Sequence, residues 1–459
     1  MSSARLTQSV AVGAWLEALV VAFVNRELHP AKGASRQAEG EALARSLQAL
    51  FGIGVPHPLE IGIAGDYFVF TGEPMLAASL QAGPLLHACR AHGVGSLRFL
   101  RAASGPEILR LLEFLADAAE AAAGDEKALA AGMQRRGLVH ATARCAGAAP
   151  ASGSPAEAGS IRQYQDLASA LVASHVAAVR GQELALDRTQ GIVETALKSM
   201  DEAPSGLLSL ATFEQVDTFT VGHSVRVALL ALHVARAAGV ARPALLQVGT
   251  AALLHDLGKS QIPQEVLFKK GRLTAEEREV MAQHPRLGAE ILMLQKQVDE
   301  AAIGAAFCHH MSPTRRGYPK PLLDFEPSGL SKLIRICDVF EAMTAVRPYK
   351  RALTPLEAYT LMNQDQAEYD QRWFRFFVRA LGLYPQGTRV LLDDGSTAIV
   401  TDQGPRPDQP IVRRTSGGEA FVAPLTIGDA GEIRQIRAVV GTGAAMPDDP
   451  VLPDPGRCC

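Results

Sequence analysis

The chain has 459 residues, 47% of them apolar and 20% charged; this composition suits soluble globular material, and at about 150 residues per domain it predicts about three domains. A formal net charge of −3 gives no basic footprint, which excludes a nucleic-acid polymer as the expected partner. Six cysteines, scattered apart from the terminal Cys458-Cys459, make no disulfide framework and fit a reducing cytoplasm.

Taken in order, the run Val10 to Val24 contains Glu17, follows only Arg5 as a basic start and lacks a cleavage site, so it predicts a core helix rather than a signal peptide. No stretch of about eighteen uninterrupted apolar residues is present, and no membrane span is expected. Residues 1–135 predict a separate α+β module. It has helices over Ala11–Asn25 and Glu39–Phe51, a hairpin from Leu59–Ile63 to Tyr67–Phe70 turned by Ala64-Gly65-Asp66, and a helix from Pro84 to His92 stopped by Gly93. A strand over Ser96–Leu100 and a helix over Ile108–Ala119, opened by Ser104-Gly-Pro-Glu107, follow. His29, His57, His87 and His92 are scattered in it and form no cluster, so a sensory, regulatory or dimerising role is expected rather than catalysis.

Residues 136–160 are expected to be a linker, with Ala, Ser, Gly and Pro dominating from Gly147 to Gly159. Over 161–200, Leu167, Leu171, Val172, His175, Val176 and Val179 recur at helical spacing; they predict connecting helices, either a stalk or the first helices of the bundle that follows.

That bundle, 201–382, holds the chemistry. His255-Asp256-Leu-Gly-Lys259 ends the apolar run Val248–Leu254, on a helix that Pro243 opens and Gly258 is expected to stop in the left-handed region. An imidazole beside a carboxylate at a buried helix end is costly unless a cation satisfies both, although a lone His-Asp pair is more often a cap or an ion pair. What changes the reading is the company it keeps. His223 opens the pattern Val225, Val227, Leu229, Leu230, Leu232; His284 lies in the helix that the capping box Thr274-Ala-Glu-Glu277 starts; His309 and His310 close Ala301–Cys308; and Asp338 interrupts the apolar face Leu333–Phe340. His223, His255, Asp256, His284, His309, His310 and Asp338 together supply enough nitrogen and oxygen ligands for two metal ions sharing Asp256 and a hydroxide.

His223-Ser224, His255-Asp256-Leu-Gly-Lys259, Ile262-Pro263-Gln-Glu-Val-Leu267, His284-Pro285, His309-His310 and Gly317-Tyr318-Pro319 resemble, in order and spacing, the HD-GYP family of bacterial phosphodiesterases. Those enzymes hydrolyse the second messenger cyclic di-GMP on the all-helical HD fold, and the likeness covers roughly 200–382. It implies two divalent ions, iron or manganese, with zinc, nickel or cobalt as alternatives; imidazole-rich ligands suit these better than calcium or magnesium. It also implies that Arg347 and Lys350 in Arg-Pro-Tyr-Lys, together with Gly317, Tyr318 and Pro319, meet the substrate, a fork such as arginine's binding two phosphate oxygens at once. Lys259 would neutralise a phosphoryl oxygen or protonate the leaving sugar oxygen; the plain alternatives are a solvated helix-end lysine and, for Arg347 and Lys350, surface charge.

The departures matter too. Where the family writes His-His-Glu and then Asp-Gly-x-Gly-Tyr-Pro, this chain has Met311 for the glutamate, Thr314 for the aspartate, and Arg315 and Arg316, neither usual in the family, which would grip phosphate, alter base preference or decorate the loop. Lost support around a metal typically costs roughly ten- to a hundredfold in affinity or activity. Phe219 stands where some relatives place a glutamate for a third metal, which favours two ions.

Beyond the Gly-Tyr-Pro loop, Thr354-Pro-Leu-Glu357 starts a helix through Met362, and Asp370 precedes an amphipathic run from Trp373 to Leu381. Residues 383–440 predict a small β-barrel or sheet from strands at Arg389–Leu392, Thr397–Thr401, Pro410–Arg413, Glu419–Val422 and Glu432–Val439; 441–459 read as disordered. The expected function is hydrolysis of cyclic di-GMP to linear pGpG or GMP in the cytoplasm, with protein signalling partners and a homodimer as further expectations. The alternative is a weak or inactive relative acting as a cyclic-dinucleotide receptor or scaffold, and a mononucleotidase reading is disfavoured by the Gly-Tyr-Pro and Arg-Pro-Tyr-Lys matches.

Overall fold

The computed structural model describes residues 3–28, 33–117, 119, 121, 124–145, 155–202, 204–211, 220–269, 271–320, 326–345, 352–404, 406–415, 425–426 and 436–439. The chain divides into two units, Met1–Val172 and Ala173–Cys459.

The first unit contains α1 (Ser3–Leu28), α2 (Gly33–Gly52), β1 (Leu59–Ala64), β2 (Tyr67–Phe70), β3 (Glu73–Pro74), α3 (Leu76–Leu80), α4 (Gly83–Ala91), β4 (Val94–Phe99), α5 (Gly105–Ala116), α6 (Glu126–Arg135) and β5 (Ala141–Cys145). The expected hairpin forms, with Ala64 opposite Tyr67 and Ile63 opposite Phe68, in an antiparallel sheet of order β3-β2-β1-β4-β5. Leu59, Ile61, Phe68, Leu97 and Phe99 alternate inward from the strands, and Trp15 of α1 meets Phe99 edge-on at 4.8 Å. α1 carries Glu17, yet over Thr7–Arg26 it is long and apolar enough to cross a membrane by length and composition, with 44% of that stretch buried; Trp15, Leu16 and Leu19 lie in the core of this unit.

Two expected boundaries, the module end at 135 and the linker 136–160, differ from the elements the structure describes. The module does not end at 135, because Ala141 and Ala143 alternate inward and pair β5 with β4, so the expected linker 136–160 contains a strand and, from Pro155, the start of α7 (Pro155–Val179). The connecting region is two helices, α7 and α8 (Leu186–Glu202), and the division between units falls inside α7. α8 buries Val193, Ala196 and Leu197 and packs on α9 (Pro204–Ala211) and on the helix Arg242–Leu254, the bundle alternative rather than a free stalk.

The second unit continues with α10 (Thr220–Ala237), α11 (Arg242–Leu254), a 3-10 turn (Leu257–Gln261), α12 (Gln264–Leu267), α13 (Ala275–Met281), α14 (His284–Met293), α15 (Glu300–Cys308), α16 (Gly329–Thr344), α17 (Pro355–Gln364) and α18 (Gln371–Leu381). α10 lies at its centre against α11 and α16, and its Val225, Val227, Leu229, Leu230 and Leu232 are all buried, since an apolar helix packed on several sides has no solvent face. Phe340 anchors the other side of α16, stacked at 5.3 Å on Tyr359 and edge-on at 4.9 Å to Phe377. Fully burying each such ring contributes about 2 kcal/mol, enough to hold the helix that carries Asp338 in register.

The strands β6 (Arg389–Leu392), β7 (Thr397–Asp402), β8 (Ile411–Thr415), β9 (Leu425–Thr426) and β10 (Ile436–Val439) form an antiparallel sheet of order β10-β6-β7-β8-β9. It is a sheet and not a closed barrel among the described residues: β10 and β9 are its two edges, and Val390, Leu392, Ala398, Val400 and Val412 make a small core. The strand expected at Glu419–Val422 and the tail 441–459 lie outside the described residues.

Candidate metal centre

Each candidate ligand is delivered by a helix end or a buried helix face. His223 lies in the first turn of α10, His255 caps the C-terminus of α11, Asp256 begins the 3-10 turn, His284 is the first residue of α14, His309 and His310 follow α15, and Asp338 faces inward from α16. His284 is not on the helix that Thr274 caps: that box opens α13, which ends at Met281, and Pro285 starts the next helix. Gly258 does not stop α11 in the left-handed region either; it lies within the 3-10 turn and is absent from the positive-φ glycines.

All seven candidate ligands are buried, and they converge. Asp256 is shared: with His223 and His255 it makes one group, and with His284, His309 and His310 another, the donor atoms of each group lying within 4.8 Å of one another. Oδ1 of Asp256 stands 3.2 Å from His284 Nε2 and 3.6 Å from His309 Nε2, while Oδ2 stands 3.4 Å from His255 Nε2 and 3.6 Å from His223 Nε2. Asp338 closes the opposite side, 3.0 Å from His223 Nε2 and 3.8 Å from His310 Nδ1.

The hydrogen bonds set the tautomers. Nδ1 of His255, His284 and His309 donates to the carbonyls of Ala252 at 2.7 Å, Met281 at 2.8 Å and Ala306 at 2.9 Å. A carbonyl only accepts, so in the neutral imidazoles each Nε2 is left as a lone pair aimed at the centre. His284 Nε2 and His309 Nε2 are then 3.2 Å apart with no proton between them, and His255 Nε2 and Asp256 Oδ1 are buried with no hydrogen-bond partner. Buried lone pairs facing one another are expensive, and cations between them remove the cost, so these residues fit a metal.

Electrostatics agree. Burial pushes His255 down to about 4 and lowers His284 and His310, with His309 and His284 pushing His310 further. Burial opposes ionisation of Asp256, but Lys259 and His255 beside it hold it well below the usual carboxylate range. Burial likewise opposes a charged His223, yet Glu341 and Asp338 on its two nitrogens outweigh it and hold it up at about 10. Neutral imidazoles and ionised carboxylates are the forms that ligate divalent ions, and at His223 a metal would take the place of the proton facing Asp338.

Two residues were missed from sequence. Glu341 accepts from His223 Nδ1 and from Arg226, whose Nε stands 2.6 Å from Oε1, and all three side chains are buried. The available signal was spacing: Arg226 is one turn beyond His223, and Glu341 one turn beyond Asp338.

Lys259 donates to Asp256 Oδ2 at 2.6 Å from within the 3-10 turn. The loop after His310 folds back through a bridge between Met311 and Gly317, and Ser312 accepts from the Arg316 amide at 2.9 Å. Gly317 has φ +94°, and a Cβ there would meet the His310 carbonyl oxygen at 2.1 Å, so only glycine lets the loop lie on that histidine. The Tyr318 ring, followed by Pro319, then lies 4.7 Å from that of His310. Arg347, Lys350 and Phe219 lie outside the described residues.

Residues 212–372 match the family model described as HD domain. Over 223 residues the chain is 34% identical to "Cyclic di-GMP phosphodiesterase PA4108" of Pseudomonas aeruginosa, covering 49% of this chain and 54% of that protein. It is 37% identical over 122 residues to "Cyclic di-GMP phosphodiesterase response regulator RpfG" of Xanthomonas campestris, covering 26% and 32% of the two chains. It is also 30% identical over 168 residues to "3'3'-cGAMP-specific phosphodiesterase 3" of Vibrio cholerae, covering 36% of each. The chain thus spans about half or less of the length of these curated relatives. Residues 212–372 are thus an HD domain, and the relatives that share it are named for the hydrolysis of cyclic di-GMP or cGAMP.

Proposed function

We propose that this protein is a metal-dependent phosphodiesterase that opens cyclic di-GMP or a related cyclic dinucleotide to linear pGpG, GMP or both. The observation that carries the reading is the convergence of two ligand groups on one shared carboxylate, Asp256, in a chain whose relatives are named for cyclic di-GMP and cGAMP hydrolysis.

In this reading His223, His255, Asp256 and Asp338 hold one divalent ion, and Asp256, His284, His309 and His310 a second, iron or manganese suiting the imidazole-rich set. Bound there, the ions supply a water of lowered pKa and polarise the phosphodiester. The protein does the rest. The carbonyls of Ala252, Met281 and Ala306 keep three imidazoles turned inward, and Asp256 is fixed between both groups by Lys259. Water adds to phosphorus, the bond to the sugar oxygen breaks, and the Lys259 ammonium, beside Asp256, would give that oxygen its proton or screen the charge growing on phosphate. Tyr318, held against His310 by the Gly317 turn, offers a flat wall to a base or sugar, and Arg347 and Lys350 are assigned to the phosphates on the motif alone.

The test is to purify the protein anaerobically, count its metals, and follow cyclic di-GMP by chromatography beside Asp256→Ala. About two metals per chain are expected from the two ligand groups, with turnover that vanishes in the variant. Nucleotide bound without turnover in the metal-loaded wild type would end the enzyme reading.

A further inference from the structure

The imidazoles are not supported alike. His255, His284 and His309 each donate Nδ1–H to a neutral backbone carbonyl, whereas His223 donates to the Glu341 carboxylate. Arg226 in turn grips Oε1 of that carboxylate through Nε at 2.6 Å and through its terminal nitrogen. We infer that Glu341, fixed by Arg226, is a positioning residue that makes the His223 half of the centre bind its ion more tightly than the His284 half. The inference rests on the metal-centre reading above and adds to it an order of strength between the two halves.

The physical case has three parts. A carboxylate acceptor on one ring nitrogen draws that proton toward itself and makes the other nitrogen a stronger donor than a carbonyl acceptor does. A ring held at both ends also loses little rotational freedom when an ion arrives, and His223 is clamped between Glu341 on α16 and the pocket it faces. Finally, a buried ion pair such as Arg226 with Glu341 is a poor source of net stability, because removing two charges from water costs about as much as their attraction returns. Its presence one turn from His223 on α10 and one turn from Asp338 on α16 is accounted for by the imidazole it orients.

Calorimetric titration of the metal-free full chain with Mn2+, in competition with a chelator and with metal counted by mass spectrometry, reads the two halves separately. The wild type is expected to take up its ions in two steps of unequal affinity. Glu341→Gln, which keeps shape and one acceptor oxygen but removes the charge, is expected to weaken the tighter step about ten- to a hundredfold and leave the other unmoved. Its lost turnover should return at high Mn2+, a rescue that a merely structural defect would not show. Equal affinities in the wild type, or an unchanged tight step in Glu341→Gln, overturn the role of Glu341 while leaving the metal centre standing. If Glu341→Gln does not fold, Glu341→Asp, which keeps the charge but draws the carboxylate back from His223 Nδ1, takes its place, and an unchanged tight step there overturns the role equally. A wild type that takes up no ion removes the centre and this inference with it.

Discussion

A Cβ placed on Gly258 would lie 1.9 Å from the His284 carbonyl oxygen and 2.4 Å from the Gly288 amide nitrogen. The 3-10 turn after Asp256 therefore packs backbone to backbone on the start of α14, and this contact brings the Asp256 carboxylate within 3.2 Å of His284. Gly258→Ala has to push α14 away. Overpacking of this kind costs about 1–3 kcal/mol, and a shift of about 1 Å at a reacting centre costs on the order of a hundredfold in rate. The variant should melt several degrees lower and lose metal together with activity. A Gly258→Ala protein that keeps its full metal content would show the contact to be slack.

Lys259 separates holding the centre from using it. Its ammonium reaches Asp256 Oδ2 at 2.6 Å and is 14% exposed, so it is the charged side chain of the motif that both touches the shared ligand and remains open to a substrate. Lys259→Met should retain bound metal, because all seven candidate ligand side chains remain and an ion would take over the charge that the ammonium gives Asp256. Turnover should fall about a hundred- to a thousandfold, the usual loss when one donor to developing charge is removed. Metal analysis beside single-turnover kinetics distinguishes this from simple loss of the ions, which would make Lys259 part of the scaffold instead.

Chelation gives a test that needs no mutation. With His284 Nε2 and His309 Nε2 3.2 Å apart and His255 Nε2 lacking a hydrogen-bond partner, the ion-free centre bears repulsion that bound ions relieve. Ions at a hundred times their dissociation constant add about 2.7 kcal/mol to the folded state. Dialysis against a chelator should lower the melting temperature of the helical unit, and Mn2+ but not Ca2+ should restore it. Equal rescue by Ca2+ would argue for an oxygen-ligand site elsewhere.

How far the sequence reached follows from where each signal lay. Capping chemistry is local, and the boxes at Thr274 and Thr354 and the cap at Asp370 all form where the sequence puts them. The histidines were legible because each stands at a helix end or on a buried face next to a recognisable neighbour. Glu341 and Arg226 were not, since an acid and a base on two helices 115 residues apart look like solvated charges until α10 and α16 pack together. Gly258 was assigned the wrong task for the same reason: a glycine after a helix suggests a stop, whereas its real neighbour, His284, belongs to another helix. The fifth strand of the first sheet, Ala141–Cys145, was hidden because small alanines carry little strand signal of their own.

Glu107 gives the first unit a pH dependence of its own. Its buried carboxylate accepts from the backbone amides of Val139 and His140, each at 2.6 Å, and of Ala141 at 3.4 Å, which fixes the entry to β5. Burial alone would raise its pKa, but these amides outweigh it and the pKa is lowered. A carboxylate lowered on folding contributes stability that is present above the unfolded value of about 4.3 and is lost as pH falls through the folded value. Glu107→Gln should therefore cost about 2 kcal/mol at neutral pH, as hydrogen bonds to a charged group usually do. The gap between variant and wild type should narrow once the pH drops below about 4. Urea unfolding of both proteins at neutral and acidic pH measures that gap directly, and a gap that stays constant would mean the carboxylate acts by shape and not by charge.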